Sequence, residues 1–289
     1  MKIIITIPAY NEEGTIGIVI SEIKQQMDKL KYEYKIIVVD DGSTDNTANV
    51  AKNTGASVYS HPYNYGLAET FRTEIEKALE NNAEIIVHID ADGQYRPEEI
   101  PKLIKPIENK EADLVLGSRF MGTIEKMPVV KKLGNIAFSK VVSQISGMKI
   151  TDGQTGFRAF TRELAEKITI ISIYTYTQEQ IIKAVRNKFK VKEVPIYFAK
   201  RQLGKSRLMS NPAEFAIKAW INLLRIYRDY EPLKFFGLVG FALILTALLT
   251  FFYSTFILGK LMDITVIVLI LAGIQIILFG FLAEMVRKR

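Results

Sequence analysis

The pair Asp90 and Asp92 stands directly after Ile85–Ile89, a run that is apolar except for His88. Alternate residues of an extended chain point to opposite faces, so two such carboxylates meet on one cation only if the chain turns beneath them. Gly93 is the residue type that makes such a turn without steric cost. The product is a hard-oxygen site for Mg2+ or Mn2+, with Asp90, Asp92 and Gln94 as protein ligands and diphosphate oxygens completing the shell. A solvated acidic loop shows the same spacing, and the buried run in front of this one favours the metal. A second acidic turn, Asp40–Asp45, follows Lys35–Val39. There Asp40 and Asp41 can accept hydrogen bonds from a base or ribose, while Asp41, Ser43 and Asp45 suit helix capping. Cations suited to holding phosphate come later: Arg119, Lys131 or Lys132, Arg201 and Lys205. Solvated surface charge is the plain alternative for each.

The chain has no cysteine, so disulfides and thiolate metal centres are excluded, and with two histidines a multi-histidine site is not expected. Any metal sits on oxygen. The net charge of +7 suits an anionic partner, and much of the basic excess lies between Lys200 and Lys234, directly before an apolar region. That position favours phosphates and lipid headgroups over nucleic acid.

The elements that must position these residues alternate in the first half. Strands are expected at Ile3–Ile7, Lys35–Val39, Ser57–Ser60, Ile85–Ile89 and Leu114–Leu116, each nearly continuous in apolar residues. Helices are expected at Glu12–Leu30, Thr44–Thr54, Leu67–Asn81 and Pro97–Asn109. This is the α/β pattern of a mostly parallel, Rossmann-like sheet. Such sheets bind ligands beyond the strand ends, which is where Pro8–Glu13, Asp40–Asp45, Asp90–Gln94 and Gly117–Arg119 fall. Further on, Lys131–Gly147 and Gln178–Asn187 read as helices, Asp152–Phe160 as a loop and strand, and Val191–Val194 as a strand.

Two stretches, Phe235–Gly259 and Ile264–Ala283, carry no charge and are long enough to cross a bilayer. A buried hairpin of a soluble protein is the alternative. Between Pro212 and Tyr230, apolar Ala216, Trp220, Leu223 and Tyr227 recur at helical spacing among Lys218, Arg225 and Arg228, as in an interfacial helix. The expected organisation is residues 1–210 as the catalytic domain, 211–232 as a juxtamembrane amphipathic helix, and 233–289 as two transmembrane helices with a basic tail. Lys218, Arg225, Arg228 and Lys234 precede the first span and Arg287–Arg289 follow the second, which places both termini and the domain in the cytoplasm. The paired spans also offer a surface for homo-oligomer formation.

Six signatures in order now carry a resemblance: Pro8-Ala9-Tyr10-Asn11-Glu12-Glu13, Val39–Ser43, Asn64-Tyr65-Gly66, Asp90-Ala91-Asp92-Gly93-Gln94, Gly117-Ser118-Arg119 and Gln154–Arg158. Together they resemble family 2 glycosyltransferases of the GT-A fold and, more narrowly, the dolichol-phosphate mannose synthase and polyprenyl-phosphate glycosyltransferase group. The resemblance implies a nucleotide pocket lined by Pro8, Tyr10, Glu12 and Asp41, with Asp40, Asp90, Ala91, Gln94, Arg201 and Lys205 in the same donor site. It implies a metal on Asp90, Asp92 and Gln94. Asp92, Arg119, Lys131 and Lys132 are the residues expected to act in transfer. Glu179 lies roughly where hydroxyl-transferring relatives place a base, and here it is either that or a loop anchor. Arg201–Leu208 is similar to the group's basic loop before the membrane, although Ser206-Arg207 replaces the usual Ser-Lys, and a guanidinium fork is not a point charge.

The acceptor follows partly from chemistry. A phosphate monoester has a second pKa of about 6 and is already a nucleophile at neutral pH, so its enzyme needs cations more than a base. The expected reaction is inverting transfer of a single hexose from GDP-mannose or a UDP-hexose to dolichyl or polyprenyl phosphate. The Q-x-x-R-W signature of processive synthases is absent. Tyr176–Glu179 and Arg228–Leu233 resemble archaeal dolichyl-phosphate hexosyltransferases, which favours a UDP-sugar. A lipid-linked oligosaccharide or glycerolipid acceptor, and an idle membrane scaffold, are the competing readings.

Overall fold

Strand residues bury both faces, and the helices that cover them follow from that. The computed structural model describes residues 1–30, 32–172, 175–201, 217, 221, 224–257, 259 and 264–287. The chain divides into two compact units, Met1–Ser210 and Asn211–Arg289. In the first, β1 (Lys2–Ala9), β2 (Glu33–Asp40), β3 (Ser57–Ser60), β4 (Ile85–His88), β5 (Leu114–Ile124), β6 (Arg158–Thr161) and β7 (Val191–Phe198) form one sheet in the order β3-β2-β1-β4-β6-β5-β7. All neighbours pair in parallel except β6, which is antiparallel to both β4 and β5.

The period-two alternation is visible in the core. Ile3, Ile5 and Ile7 of β1 join Ile36, Val38, Ile85, Val87 and Val115 in a cluster with α1 (Ile16–Leu30) and α4 (Ile100–Glu108). Ile4, Ile37, Val39 and Ile86 are buried too, and α3 (Leu67–Glu80) packs on β1 and β2. Each fully buried isoleucine contributes about 2 kcal/mol relative to exposure. Among the described residues this unit also has α2 (Thr47–Asn53), α5 (Val129–Ser146), α6 (Arg162–Lys167), α7 (Thr177–Arg186) and a single 3-10 turn at Pro97–Glu99.

Three boundaries differ from expectation, each for a local reason. The first helix begins at Ile16 instead of Glu12, after a turn in which the Glu12 carbonyl accepts from the Thr15 and Ile16 N–H groups and which Asn11 enters with a left-handed φ of 52°. That turn lets the Asn11 carboxamide accept from the Thr44 N–H at 2.7 Å, which in turn delays the second helix to Thr47. The fifth strand does not end at Gly117–Arg119 but runs to Ile124, pairing with β7 through a register shift between Ser118 and Thr123. Ser118 lies opposite Pro195, which has no N–H to continue the ladder.

In the second unit, α8 (Pro232–Phe256) and α9 (Ile264–Arg287) are long and apolar enough to cross a membrane. Pro232 opens α8 at a position where its missing N–H costs nothing. The two helices pack at a glycine crossing: a Cβ on Gly240 would lie 2.5 Å from the Gly273 carbonyl oxygen, and one on Gly273 would lie 2.7 Å from that of Gly240. Small residues here allow the backbone approach that holds apolar helices together without a hydrophobic drive. Of the expected interfacial helix, residues 217, 221 and 224–230 are helical, with Arg225 and Arg228 exposed; Lys218, Ala216, Trp220 and Leu223 lie outside the described residues.

Candidate active site

The turn after β4 is the centre of the polar residues. Gly93 takes a φ of +70° there, and the Gln94 N–H closes onto Asp92 Oδ1 at 3.0 Å. Ala91, between the aspartates, is buried. The Gln94 carboxamide donates to the Ala199 carbonyl at 3.0 Å, leaving its own oxygen as an acceptor. Gly156 is the residue that gives Asp90 room, since a Cβ there would meet Asp90 Oδ2 at 2.6 Å.

The two carboxylates are held in different states. Burial pushes Asp90 up, but the His88 ring beside it and the charges of Arg119 and Arg158 outweigh that, and its pKa ends below the usual carboxylate value. Burial and the neighbouring Asp90 charge raise Asp92, against the pull of the Gln94 N–H and Arg201. Two carboxylates driven apart in this way are stabilised by a shared cation. The residues therefore fit a divalent ion on Asp90 and Asp92. Among the described residues no three acidic or histidine side chains cluster as a ready-made cage, so an ion held there would need further oxygen ligands, for which the Gln94 carboxamide oxygen is available on the same turn.

The cations are unequal. Arg201, in the segment after β7, donates to Asp92 Oδ2 at 2.9 Å and reaches Glu12 Oε1 at 3.4 Å. Lys131 is half-buried on α5, and burial together with Arg119 and Arg201 lowers its pKa while Asp92 and Asp90 act to raise it. Lys132, one residue on, is exposed. The expected pair thus separates into one lysine within charge reach of the acidic turn and one pointing to solvent. Arg119 has a partner of its own: its guanidinium is buried and bidentate to Asp152 at 2.7 and 2.8 Å, so its charge is felt at Asp90 while its Nε and one Nη are committed. Lys205 lies outside the described residues.

At the second acidic turn Asp41 has donors from its own chain. Its buried carboxylate accepts from the Tyr65 and Gly66 N–H groups, each at 2.9 Å, and from the His61 ring at 2.8 Å. A buried carboxylate needs such donors, and satisfying them makes Asp41 the anchor of the 61–66 loop. The Asp40 carboxylate accepts the longer Ser43 N–H bond, at 3.3 Å, and retains acceptor capacity. Pro8, Tyr10 and Glu12 are all half-buried at the end of β1. Glu12 accepts from the Thr15 hydroxyl and donates its N–H to Thr47. Glu179 is buried, accepts from the Ile171 and Ser172 N–H groups at 3.0 and 2.8 Å, and pairs with Lys183.

A network beneath Asp90 had no signal in spacing. His88 bonds Glu74 and the Tyr176 hydroxyl, each at 2.6 Å, and Tyr176 stacks on Phe71 with centroids 3.7 Å apart. Burial lowers the His88 pKa, but the Glu74 and Asp90 carboxylates beside it outweigh burial and push it up to about 9. Arg158 is fully buried, donating to Gln180 and to the Thr155 and Thr177 carbonyls. A polar residue inside a buried strand, as His88 is, was the one available hint.

The sequence profile of glycosyl transferase family 2 matches residues 4–169. A UDP-N-acetylglucosamine–dolichyl-phosphate N-acetylglucosaminyltransferase of Methanococcus voltae is 36% identical over 217 residues, covering 67% of this chain and 84% of its own. A dolichol-phosphate mannosyltransferase of Pyrococcus furiosus is 31% identical over 260 residues, covering 85% and 70%. Among solved structures, glucosyl-3-phosphoglycerate synthase from Mycobacterium tuberculosis, in complex with Mn2+ and UDP-glucose, superposes with a TM-score of 0.59 at 21% identity, over 77% of this chain and 78% of that one. That likeness establishes the GT-A architecture of the sheet and its flanking helices. With the family profile spanning more than half of the chain, and the strand-end motifs meeting around the turn after β4, the protein belongs to glycosyl transferase family 2.

Proposed function

We propose that this glycosyltransferase moves one hexose from a nucleotide diphosphate sugar to dolichyl or a similar polyprenyl phosphate, at the cytoplasmic surface of a membrane. The observation that carries the acceptor is on α5. Lys131 lies within electrostatic reach of Asp92 and Asp90, while Val129 and Leu133 on the same helix are 71% and 62% exposed, with Val130 and Ile136 also exposed. A cation for phosphate and an apolar surface for a lipid chain thus share one element. The names of the relatives from Methanococcus voltae and Pyrococcus furiosus support the same acceptor class.

In this reading an oxygen of the lipid phosphate attacks the anomeric carbon as the bond from that carbon to the diphosphate oxygen breaks, and the nucleoside diphosphate leaves with the electron pair. Attack opposite the leaving group inverts the centre. Asp90, Asp92 and Gln94 would hold Mg2+ or Mn2+, which when bound offsets charge on the departing diphosphate. Lys131 and Arg201 hold the two anionic reactants together. Asp40, Pro8, Tyr10 and Glu12 line the donor side. Lys218, Arg225, Arg228, Lys234 and the basic tail support cytoplasmic placement of both termini.

Washed membranes carrying the full chain, incubated with labelled UDP-glucose, UDP-N-acetylglucosamine or GDP-mannose plus dolichyl phosphate, test this directly. A mild-acid-labile labelled lipid from one donor is expected, lost on adding chelator and restored by Mg2+ or Mn2+. No labelled lipid with any donor sinks the acceptor assignment; labelling indifferent to chelator sinks the metal.

A further inference from the structure

Helix α9 carries one amide at the middle of its apolar span, between Val266 and Ala283. Gln275 lies eleven residues from either end of the membrane-length segment Ile264–Val286, about 16 Å from each. It is exposed and turned away from α8. At about 100° per residue, Leu271, Gln275, Leu278 and Leu282 fall within about 30°, and Val268 within about 50°, of the direction opposite Gly273 and Gly280, the two glycines that face α8. The four apolar members are exposed. Their spacing alternates three and four residues, so Gln275 occupies one core position of a heptad seam.

A carboxamide at mid-span has two donors and two acceptor sites that hydrocarbon cannot satisfy. We infer that this seam binds the α9 seam of a second copy of the chain. Copies inserted the same way are related by a twofold axis along the membrane normal, so Gln275 meets its own counterpart and each amide both donates and accepts. A polar residue at one heptad core position selects a single register. Its flanking leucines supply the packing. The inference rests on α9 crossing a bilayer, and it is independent of donor and acceptor.

The chain has no cysteine, so single cysteines report without background. In native membranes, full-length L271C and L278C, oxidised with copper phenanthroline, are expected to form disulfide-linked dimers. I274C and F281C, exposed but off the seam, are not. Added to L278C, Gln275→Leu is expected to lower dimer yield by about threefold or more, as loss of one interhelical amide contact would, and Gln275→Asn to preserve it. Equal crosslinking on and off the seam, or yields unaffected by Gln275→Leu, overturns the inference. Resistance to alkaline carbonate extraction, measured on the same membranes, separates failure of the seam from failure of membrane insertion. Sugar transfer measured in the Gln275→Leu variant separates both from failure of the enzymatic reading.

Discussion

Arg201 and Asp92 form an ion pair at 2.9 Å across 109 residues of chain, joining the segment after β7 to the turn after β4. The guanidinium occupies the outer side of the carboxylate that the metal assignment requires, and it touches Glu12 as well. It therefore ties the first, fourth and last strands of the sheet to one point. Both partners are part-exposed, so the pair adds little to stability. Arg201→Ala should lower kcat/KM for sugar transfer by about tenfold or more with an unchanged melting temperature. Wild-type kinetics in that variant would remove Arg201 from the site.

Lys131 and Lys132 are neighbours with different surroundings, and kinetics should separate them. Lys131→Ala is expected to cost about a hundredfold in transfer to the lipid phosphate. Lys132→Ala should stay within about twofold, as for a solvated charge. Equal losses would show that α5 does not present Lys131 to the reactants.

Gly156 has no space for a side chain, because its Cβ would press on Asp90 Oδ2. Gly156→Ala should displace that carboxylate and reduce activity by about a hundredfold, as small misplacements in an active site do. Far-ultraviolet circular dichroism should be unchanged. An active Gly156→Ala enzyme would mean that Asp90 has freedom the structure does not give it.

The Arg119–Asp152 pair is buried and bidentate, so its members depend on each other. Asp152→Ala should destabilise the protein by about 3–5 kcal/mol by leaving a buried unpaired guanidinium. Thermal unfolding in detergent measures this. The double variant Arg119→Met with Asp152→Leu should recover most of the loss, since an apolar pair of similar volume needs no partner. A mild Asp152→Ala phenotype would place Arg119 in solvent.

What was legible in the chain was whatever depends on local period and residue type. Continuous apolar runs marked β1, β2 and β4, and the acidic turns behind them fell at strand ends as parallel sheets require. The uncharged stretches marked α8 and α9 by length alone. The chain did not tell how far β5 extends, because its second part is defined by pairing with Tyr197 and Phe198 of β7, which meet Thr123 and Ile124 only after folding.

The same division runs through the site. Sequence alone determined that Asp90, Asp92 and Gln94 stand on one turn, since a few bonds separate them and Gly93 permits the geometry. Only the tertiary structure decided which charges are free to act. It paired Arg119 with Asp152, spent Asp41 on the Tyr65 and Gly66 N–H groups, and brought Arg201 to Asp92. The physical reason is that a charged group's role is set by its desolvation and by which partners satisfy it. Those partners lie 20 to 109 residues away, from the His61 ring on Asp41 to Arg201 on Asp92, beyond anything that spacing along the chain encodes.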